Sequence, residues 1–349
     1  MLRPGFQIIG LLLLGLISMP GYAVVVKDLY SAEVPVTDHS DRALAAASRD
    51  ALSEVLVKVS GSVDVLQDSV ITEALGNSQT YVQQYVYTLD QGATGDLSAR
   101  FEFDSSVIAE LVAGAGLPFW TANRPTVLVW MVMESSQGRE FLNWESAPEV
   151  ISELIDEFAR RGVPVQFPLY DLNDSALISV DELWRLNAAA LNGASRRYDT
   201  QDILAGRLAT LSNGSWVGDW SYLFEHSRVD RSIPMGDPQI FLRAGVSLVA
   251  QEMSARYAVA PSGKITEGVK LMVSGVSSYA DYANIVAWLE GVELIEFANV
   301  EIIRGDSIRL NLVAQADAKQ LAAIIELNSQ LVPVHSVDTA VQLSYQWRR

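Results

Sequence analysis

The stretch DLNDSALISVDE, residues 171–182, has the residue types of a calcium-binding loop. Positions 1, 3, 5 and 12 of the EF-hand pattern supply oxygen ligands, and here they are Asp171, Asn173, Ser175 and Glu182. Position 6, however, is Ala176, where the sharp turn requires glycine. The preceding VPVQFPLY contains two prolines and favours a strand over the helix that an EF-hand needs.

Ser179 and Glu182 have the spacing of a capping box, which would begin a helix at Val180. Asp171 and Asn173 are then ordinary turn residues. We therefore expect no metal site in this loop. Calcium bound by Asp171, Asn173, Ser175 and Glu182 is the weaker alternative.

The segment SWVGDWSYLFEH, residues 215–226, would place a row of aromatic rings on one face of a strand. The row contains Trp216, Trp220, Tyr222, Phe224 and His226. Aromatic rings on an open face could stack on a sugar or on a partner peptide, and Trp216, Trp220, Tyr222 and His226 are the candidate ligand-binding residues. Aromatic side chains more often pack in the core, and a long helix is predicted at residues 238–257. We expect this face to pack beneath that helix.

No arrangement of side chains predicts catalysis. His226 lies near Asp219 and Glu225 in the sequence, but a strand would point both carboxylates to the opposite face. The chain has three histidines, widely separated, and no cysteine, which disfavours a zinc site. Phosphate-binding glycine loops, GxSxG and HExxH are absent from the sequence. We therefore expect no catalytic residues and no cofactor, although a hydrolase built on unpaired carboxylates stays as a less favoured possibility.

The first 23 residues have the pattern of a secretory signal peptide. Arg3 is followed by an apolar core from Ile8 to Ile17 and by the small-x-small sequence Gly21-Tyr22-Ala23, and the core is too short to span a bilayer. We expect a periplasmic protein, with a retained anchor as the alternative. The absence of cysteine fits an oxidising compartment, and no later segment is apolar enough to span a membrane.

The net charge of −17 disfavours nucleic acid and anionic lipid as partners. Hydrophobic residues make up 49% of the chain and charged residues 19%, which indicates folded structure throughout. The length allows two or three domains. The sequence thus predicts a folded, acidic protein of several domains.

Hydrophobic periodicity divides the chain into three modules of α/β and α+β type. We predict a β-α-β-β-α module at 24–120, a layered α/β domain with a mixed sheet at 125–260, and a ferredoxin-like β-α-β-β-α-β module at 266–334. The residues between the first two modules, 121–125, are typical of a linker. The tail, 335–349, is predicted to be a strand or partly disordered.

Several runs in these modules resemble a bacterial envelope family described as domain of unknown function 2066 (DUF2066). They are YVQQYVY, LSARFEFD, AGAGLPFW, RPTVLVWMVME, RRGVPVQFPLYDLND, DELW, ILAGRLATL, WVGDWSYLF and GVSSYADYANIVAWLEGV. The resemblance implies an envelope location and brings no activity, cofactor or catalytic residue. The DILAGRL strand and the aromatic hairpin after it are also similar in pattern to the α/β domains of TolB (its N-terminal domain), CsgG and LpoB.

These features together lead to an expectation about function. We expect a non-enzymatic interaction or scaffold protein of the cell envelope, whose partners are other envelope proteins. A glycan-binding or small-ligand-binding protein that uses the aromatic face of residues 216–226 is the alternative.

Overall fold

The computed structural model describes residues 24–89, 97–260, 266–328, 330–335, 338 and 340–348. Its helices and strands form a mixture of α/β and α+β architecture in several domains, which confirms the predicted fold class. The predicted signal peptide lies outside the described residues. Among the helices of these ranges, none is both long and apolar enough to cross a membrane.

The N-terminal module is an antiparallel sheet in the order β2-β4-β3 with helices on one face. Its elements are β2 (Ser31–Pro35), α1 (Asp41–Ser60), α2 (Ser69–Gly76), β3 (Val82–Leu89), β4 (Leu97–Phe103) and α3 (Ser105–Gly114). A two-residue strand before it, β1 (Val24–Val25), pairs with β5 (Asn123–Arg124) after it. The predicted β-α-β-β-α order is therefore present, with α2 as an additional helix.

Helix α1 begins and ends where its sequence signals predict. The Ser40 hydroxyl accepts a hydrogen bond of 3.2 Å from the Ala43 amide, which satisfies a helix N–H that has no partner within the helix. At the other end Gly61 has a φ of +76° and donates to the Val57 carbonyl at 2.8 Å. A residue with a Cβ is strained in that left-handed conformation. The side chain of Ser254 also leaves no space for a Cβ at Gly61.

The central domain is a mixed sheet in the order β11-β10-β9-β6-β7, with β8 also paired to β6. Its strands are β6 (Val127–Ser135), β7 (Gly138–Phe141), β8 (Val165–Gln166), β9 (Asp202–Thr210), β10 (Trp216–Phe224) and β11 (Ser227–Gly236). Its helices are α4 (Pro148–Arg160), α5 (Leu172–Leu177), α6 (Val180–Trp184), α7 (Ala188–Ser195) and α8 (Pro238–Tyr257). Strands β6 and β9 are parallel.

Strand β6 lies between two helical layers. Val127, Val129 and Met131 belong to one buried cluster that also contains residues of α4 and α8. The alternate residues Leu128 and Trp130 belong to a second cluster with residues of α6 and α7. The residues from Val127 to Val132 are thus buried on both faces, as is usual for a strand covered by helices on both sides.

The C-terminal module has the predicted ferredoxin-like order, with one further strand. Its elements are β12 (Thr266–Ser274), α9 (Tyr279–Glu290), β13 (Ile295–Arg304), β14 (Ser307–Ala314), α10 (Ala318–Ile325), β15 (Leu331–Pro333) and β16 (Leu343–Trp347). The sheet order is β13-β14-β12-β16-β15. Strand β16 comes from the predicted tail and lies inside the sheet, parallel to β12 and antiparallel to β15. Tyr345 and Trp347 of this strand are buried.

The indole ring of Trp220 lies between two glycines. A Cβ on Gly206 of β9, or on Gly245 of α8, would lie 2.5 Å from the Trp220 ring. The ring is fully buried, its N–H donates to the Phe241 carbonyl at 2.8 Å, and the centroid of the Phe241 ring is 4.8 Å away. The two glycines therefore make the space that allows α8 to pack closely on β10.

The segment predicted as a linker is buried. Thr121, Asn123 and Arg124 are each at most 6% exposed. The Asn123 side-chain amide donates to the Ile324 carbonyl of α10 at 3.5 Å. The buried apolar residues of the N-terminal and C-terminal modules form one continuous cluster beside this segment. Residues 121–124 are thus a junction where the three modules meet.

The side chain of Arg124 joins backbone from several parts of the chain. Its guanidinium donates to five carbonyl oxygens at 2.8–3.1 Å, which belong to Lys58, Trp120, Thr121, Arg161 and Gly162. It also lies 3.7 Å from the centroid of the Trp120 ring. Burial lowers the pKa of the guanidinium to about 9, so that it is still a cation at neutral pH.

Glu293 brings the C-terminal module to the same junction. Its Oε1 atom accepts hydrogen bonds from the Tyr30 hydroxyl and from the Ala122 amide, each at 3.0 Å. Burial, and then the charge of Glu293, raises the pKa of Tyr30, so that the phenol stays protonated and donates. The junction therefore connects all three modules through polar contacts.

Replacement of Gly245 by alanine tests the packing of Trp220. Alanine inside a helix is usually more stable than glycine by roughly 0.5–1 kcal/mol. At Gly245 we expect the opposite sign, a loss of about 1–3 kcal/mol, because the new methyl group would overlap the indole. The matched control is Gly193→Ala in α7, where a Cβ would meet nothing within 4 Å. Urea unfolding of both variants checks the prediction, and equal effects would contradict it.

Replacement of Arg124 by methionine tests the junction. The change leaves five carbonyl groups without their donor in a buried place, and we expect a loss of about 3–5 kcal/mol. We also expect scanning calorimetry to show separate transitions where the parent protein shows one, because the modules lose their common contact. Arg42→Met, on the exposed side of α1, is the control. An unchanged melting profile for Arg124→Met would contradict the role given to this residue.

Candidate functional site

The aromatic face predicted from residues 216–226 is part of the core. Trp216, Trp220 and Tyr222 are at most 8% exposed, and the first two contact Phe241 of α8. His226 does not share their face, because β10 ends at Phe224 and His226 lies exposed in the turn before β11. The rings are not accessible to a sugar, so the alternative of a glycan-binding face has no support from their positions.

The residues of the EF-hand pattern form helix caps. Asp171 caps α5, accepting from the Asn173 and Asp174 amides at 3.0 and 2.9 Å, and it pairs with Arg197 at 2.7 Å. The hydrogen bond from Arg197 lowers the pKa of Asp171 to about 2. The Ser175 hydroxyl donates to the Asp171 carbonyl.

Glu182 and Ser179 form the predicted capping box at the start of α6. The side-chain oxygens of the EF-hand pattern thus bind separate partners and do not converge on one point where an ion could lie. Within the described ranges, no group of three or more His, Asp or Glu residues is arranged to hold a metal ion.

A polar cleft of about 420 Å³ lies between the central and C-terminal modules. It is at the end of the central sheet where the parallel strands β6 and β9 begin, and Glu326 and Leu327 form its other side. Asp202 at its base accepts a hydrogen bond of 3.0 Å from Arg256 and a close one from the Tyr222 hydroxyl. The sequence did not indicate this group, because 54 positions separate Asp202 from Arg256.

Asp202, Tyr222 and Arg256 bind one another. The Arg256 guanidinium also lies 4.1 Å from the centroid of the Phe224 ring. Burial, and then the charge of Asp202, raises the pKa of Tyr222, so that its hydroxyl stays protonated and donates to Asp202. A carboxylate that already accepts from an arginine and a phenol is poorly placed to take a proton from a substrate. This arrangement stabilises the sheet end and does not resemble a catalytic centre.

Strand β3 differs from every other described outer strand of the three large sheets. Outer strands in soluble proteins are usually short, or carry charges, prolines or bulges that prevent another strand from pairing with them. Strand β3 has eight residues, VQQYVYTL, with neither charge nor proline. Its single irregularity lies between Val82 and Gln84, and the pairing is regular from Gln84 to Leu89. Among the described strands only β4 pairs with it.

The remaining outer strands have the usual protection. Strand β2 has five residues with Glu33 and Pro35, β7 has four with two charges, β8 has two, and β15 has three and ends in Pro333. Strand β11 contains Arg228, Asp230, Arg231 and Pro234, and β13 contains Glu296, Glu301 and Arg304 with two irregularities. The contrast identifies β3 as an unprotected sheet edge.

Apolar side chains accompany this edge. Tyr85, Val86 and Leu89 are 44%, 59% and 69% exposed. Tyr85 and Tyr87 pair with Phe101 and Ala99 of β4, which face α1, and so they lie on the helix side of the sheet. Tyr85 stays exposed there, whereas Tyr87 is partly buried against the core. Within the described residues, the edge therefore presents backbone groups that no second strand pairs with, next to the exposed ring of Tyr85.

A groove of about 320 Å³ lies beside β3 on its helix side. Leu44 and Ser48 of α1 form one wall, and Val82, Tyr85 and Phe101 form the other. The rim also contains the amide side chains of Gln79, Gln83 and Gln84. The groove thus combines apolar walls with groups that can form hydrogen bonds.

Acidic side chains also lie near this edge. Asp41 lies one turn before Leu44 in α1, and Asp38 is next to His39, whose ring stacks on Tyr87 at 4.4 Å. Hydrogen bonds from Ser40 lower the pKa of Asp38, so that it is ionised. On the outer face Glu33 accepts from the Thr88 hydroxyl at 2.5 Å. Arg100, the neighbouring cation on that face, pairs with Asp28.

Comparison with known proteins gives one match. A family model described as a domain of unknown function (DUF8605) matches residues 23–121, less than a third of the chain. This region contains the N-terminal module, with β3 and its groove. No curated protein and no solved structure matches the chain. The N-terminal module is therefore similar to a family for which the match supplies no activity.

The match corrects the resemblance drawn from the sequence. The family model that matches residues 23–121 is DUF8605 and not domain of unknown function 2066, so that assignment is wrong. The further likeness to TolB, CsgG and LpoB has no support, since no solved structure matches. Short runs of strand residues such as LSARFEF satisfy the alternation of any half-buried strand, and so they discriminate poorly between families.

Calcium should leave the stability of the protein unchanged. A ligand at 100 times its Kd stabilises the folded state by about 2.7 kcal/mol. We expect no such effect of calcium, because the Asp171 carboxylate already accepts hydrogen bonds from Arg197 and from helix N–H groups. The measurement is the melting temperature with and without calcium. Asp171→Asn keeps the cap and serves as the control. A rise in the parent that disappears in Asp171→Asn would show that the loop binds calcium.

Proposed function

We propose that the protein is an exported, non-enzymatic interaction protein of the bacterial cell envelope, and that it binds another envelope protein through the β3 edge. The observation that carries the proposal is the contrast among outer strands. Of those described, only β3 is long and has neither a charged residue nor a proline. Evolution usually removes such an edge because it pairs with other chains. Its presence beside exposed Tyr85 and Val86 favours a surface that is covered in the cell.

The state of the ionisable groups supports a role without catalysis. Asp202 in the cleft between the central and C-terminal modules forms a closed set of hydrogen bonds with Tyr222 and Arg256. In a separate groove between α1 and α4, Glu157 lies between Arg160 and Arg243, at 2.9 and 3.0 Å. Asp202 and Glu157 thus each have partners that stabilise their charge, as structural ion pairs do.

The N-terminal sequence and the absence of cysteine support the compartment. The pattern of residues 1–23 is that of a signal peptide, and a chain without thiols is suited to an oxidising environment. The acidic charge favours a protein partner over nucleic acid or anionic lipid.

The junction supports a scaffold role. Arg124 and Glu293 hold the three modules against one another through buried contacts. A segment bound at β3 would thereby acquire a defined orientation relative to the other two modules.

Site-specific crosslinking in cells tests the proposal. A photoreactive amino acid replaces Val86 on the β3 edge, and in a second strain it replaces Ile303 on the protected β13 edge. The two positions are 59% and 64% exposed, so that they differ in the edge and not in accessibility. We expect Val86 to capture one protein that itself carries an export signal, and Ile303 to capture none reproducibly. Mass spectrometry identifies the captured protein.

Two results would contradict the proposal. Equal capture at Val86 and Ile303 would mean that β3 is not a specific surface. Capture of cytoplasmic proteins alone would mean that the chain is not exported. Loss of the specific adduct when Thr88→Lys is added to the Val86 strain would further locate the contact on this strand.

A further inference from the structure

We propose that the β3 edge binds its partner by strand addition, and that the partner segment is extended, has apolar side chains at alternate positions and is net basic. This inference rests on the proposed function and names the kind of segment that it would bind.

The backbone of β3 provides a long binding site. The regular part from Gln84 to Leu89 has six residues, which extend over roughly 20 Å at about 3.4 Å per residue. In an antiparallel edge strand, alternate residues direct their N–H and C=O groups away from the sheet. An added strand would satisfy these groups, and such main-chain hydrogen bonds provide affinity in strand addition.

The groove explains the requirement for alternate apolar side chains. An added strand would lie about 4.8 Å outside β3, and every second side chain would point to the helix side of the sheet. On that side it would meet the rings of Tyr85 and Tyr87 and the groove lined by Leu44 and Phe101. A helix laid into the same groove would leave the backbone groups of β3 unpaired, so the edge favours an extended segment.

Charge determines which extended segment fits. The Glu33 side chain contacts Thr88 of β3, Asp38 is next to the His39 that stacks on Tyr87, and Asp41 lies one turn before Leu44 of the groove. The whole chain has a net charge of −17. A second copy of this chain would bring the same acidic residues against themselves, which disfavours a dimer through β3. A segment with lysine or arginine near its apolar residues would instead gain from these charges.

Selection from a random library tests the inference without knowledge of the partner. The probe is a library of random twelve-residue peptides displayed on phage and selected on the purified protein. We expect the enriched peptides to alternate apolar residues and to have a net positive charge. Synthetic copies are then measured against the parent protein and against three variants: Val86→Lys, Val86→Glu and Ile303→Lys.

The variants separate the edge and the charge. We expect Val86→Lys to weaken binding at least about tenfold, since a lysine blocks edge pairing and repels a basic peptide. Val86→Glu places a charge at the same position with the opposite sign, so its effect should be smaller. Ile303→Lys adds the same charge at the protected β13 edge, and it should leave the Kd unchanged. Circular dichroism of each variant confirms that it is folded.

Amide hydrogen exchange gives a readout of the binding mode. Strand addition should slow exchange at every second amide from Gln84 to Leu89, because the intervening amides already bond to β4. Slowed exchange in α1 alone, or enriched peptides with apolar residues at a spacing of three and four, would overturn strand addition. Failure to enrich any peptide that depends on Val86 would overturn it as well.

The outcomes also separate this inference from the proposed function. Capture of an exported protein at Val86 in cells, together with peptides of helical spacing, would preserve the interaction role and overturn strand addition. A purified protein that sediments as a dimer, and as a monomer after Val86→Lys, would show that the occupant is a second copy and overturn the basic partner.

Discussion

The guanidinium of Arg124 is the constraint on which the arrangement of the modules depends. A cation so deeply buried is tolerated only where acceptors surround it, and here they are backbone carbonyls from α1, from the junction and from the end of α4. Carbonyl groups are fixed by the helices that carry them, so each hydrogen bond fixes the position of an element. The N-terminal and central modules therefore meet in one geometry. The Tyr30–Glu293 contact fixes the C-terminal module in the same arrangement.

Much of the secondary structure follows from local chemistry and could be predicted. Helix α1 has its cap at Ser40 and its stop at Gly61, and the capping box at Ser179 determines the start of α6. The burial of Trp220 also follows from the sequence, because an aromatic row near an amphipathic helix most often forms core. These features depend on residues close in the chain, or on a hydrophobic pattern that a single element displays.

The candidate site could not be predicted from the sequence, because it depends on sheet order. Strand β3 reads as an ordinary strand in VQQYVYTL, and only the order β2-β4-β3 makes it an outer one. The junction was missed for a related reason: Thr121 to Pro125 has the composition of a linker, whereas its burial results from contacts with residues up to 201 positions away. The strand from Leu343 to Trp347 likewise acquires its place in the sheet through long-range pairing.

The net negative charge of the chain also opposes association of two copies through the exposed edge of β3. An unprotected strand invites copies of the same protein to join edge to edge, which is the first step of aggregation. Two chains that each carry a net charge of −17 repel one another as they approach, and this repulsion weakens as salt shortens the Debye length to about 8 Å. The charge thus keeps the protein in solution when no partner is bound at β3. We expect its solubility to depend on ionic strength more than that of a protein whose outer strands are all protected.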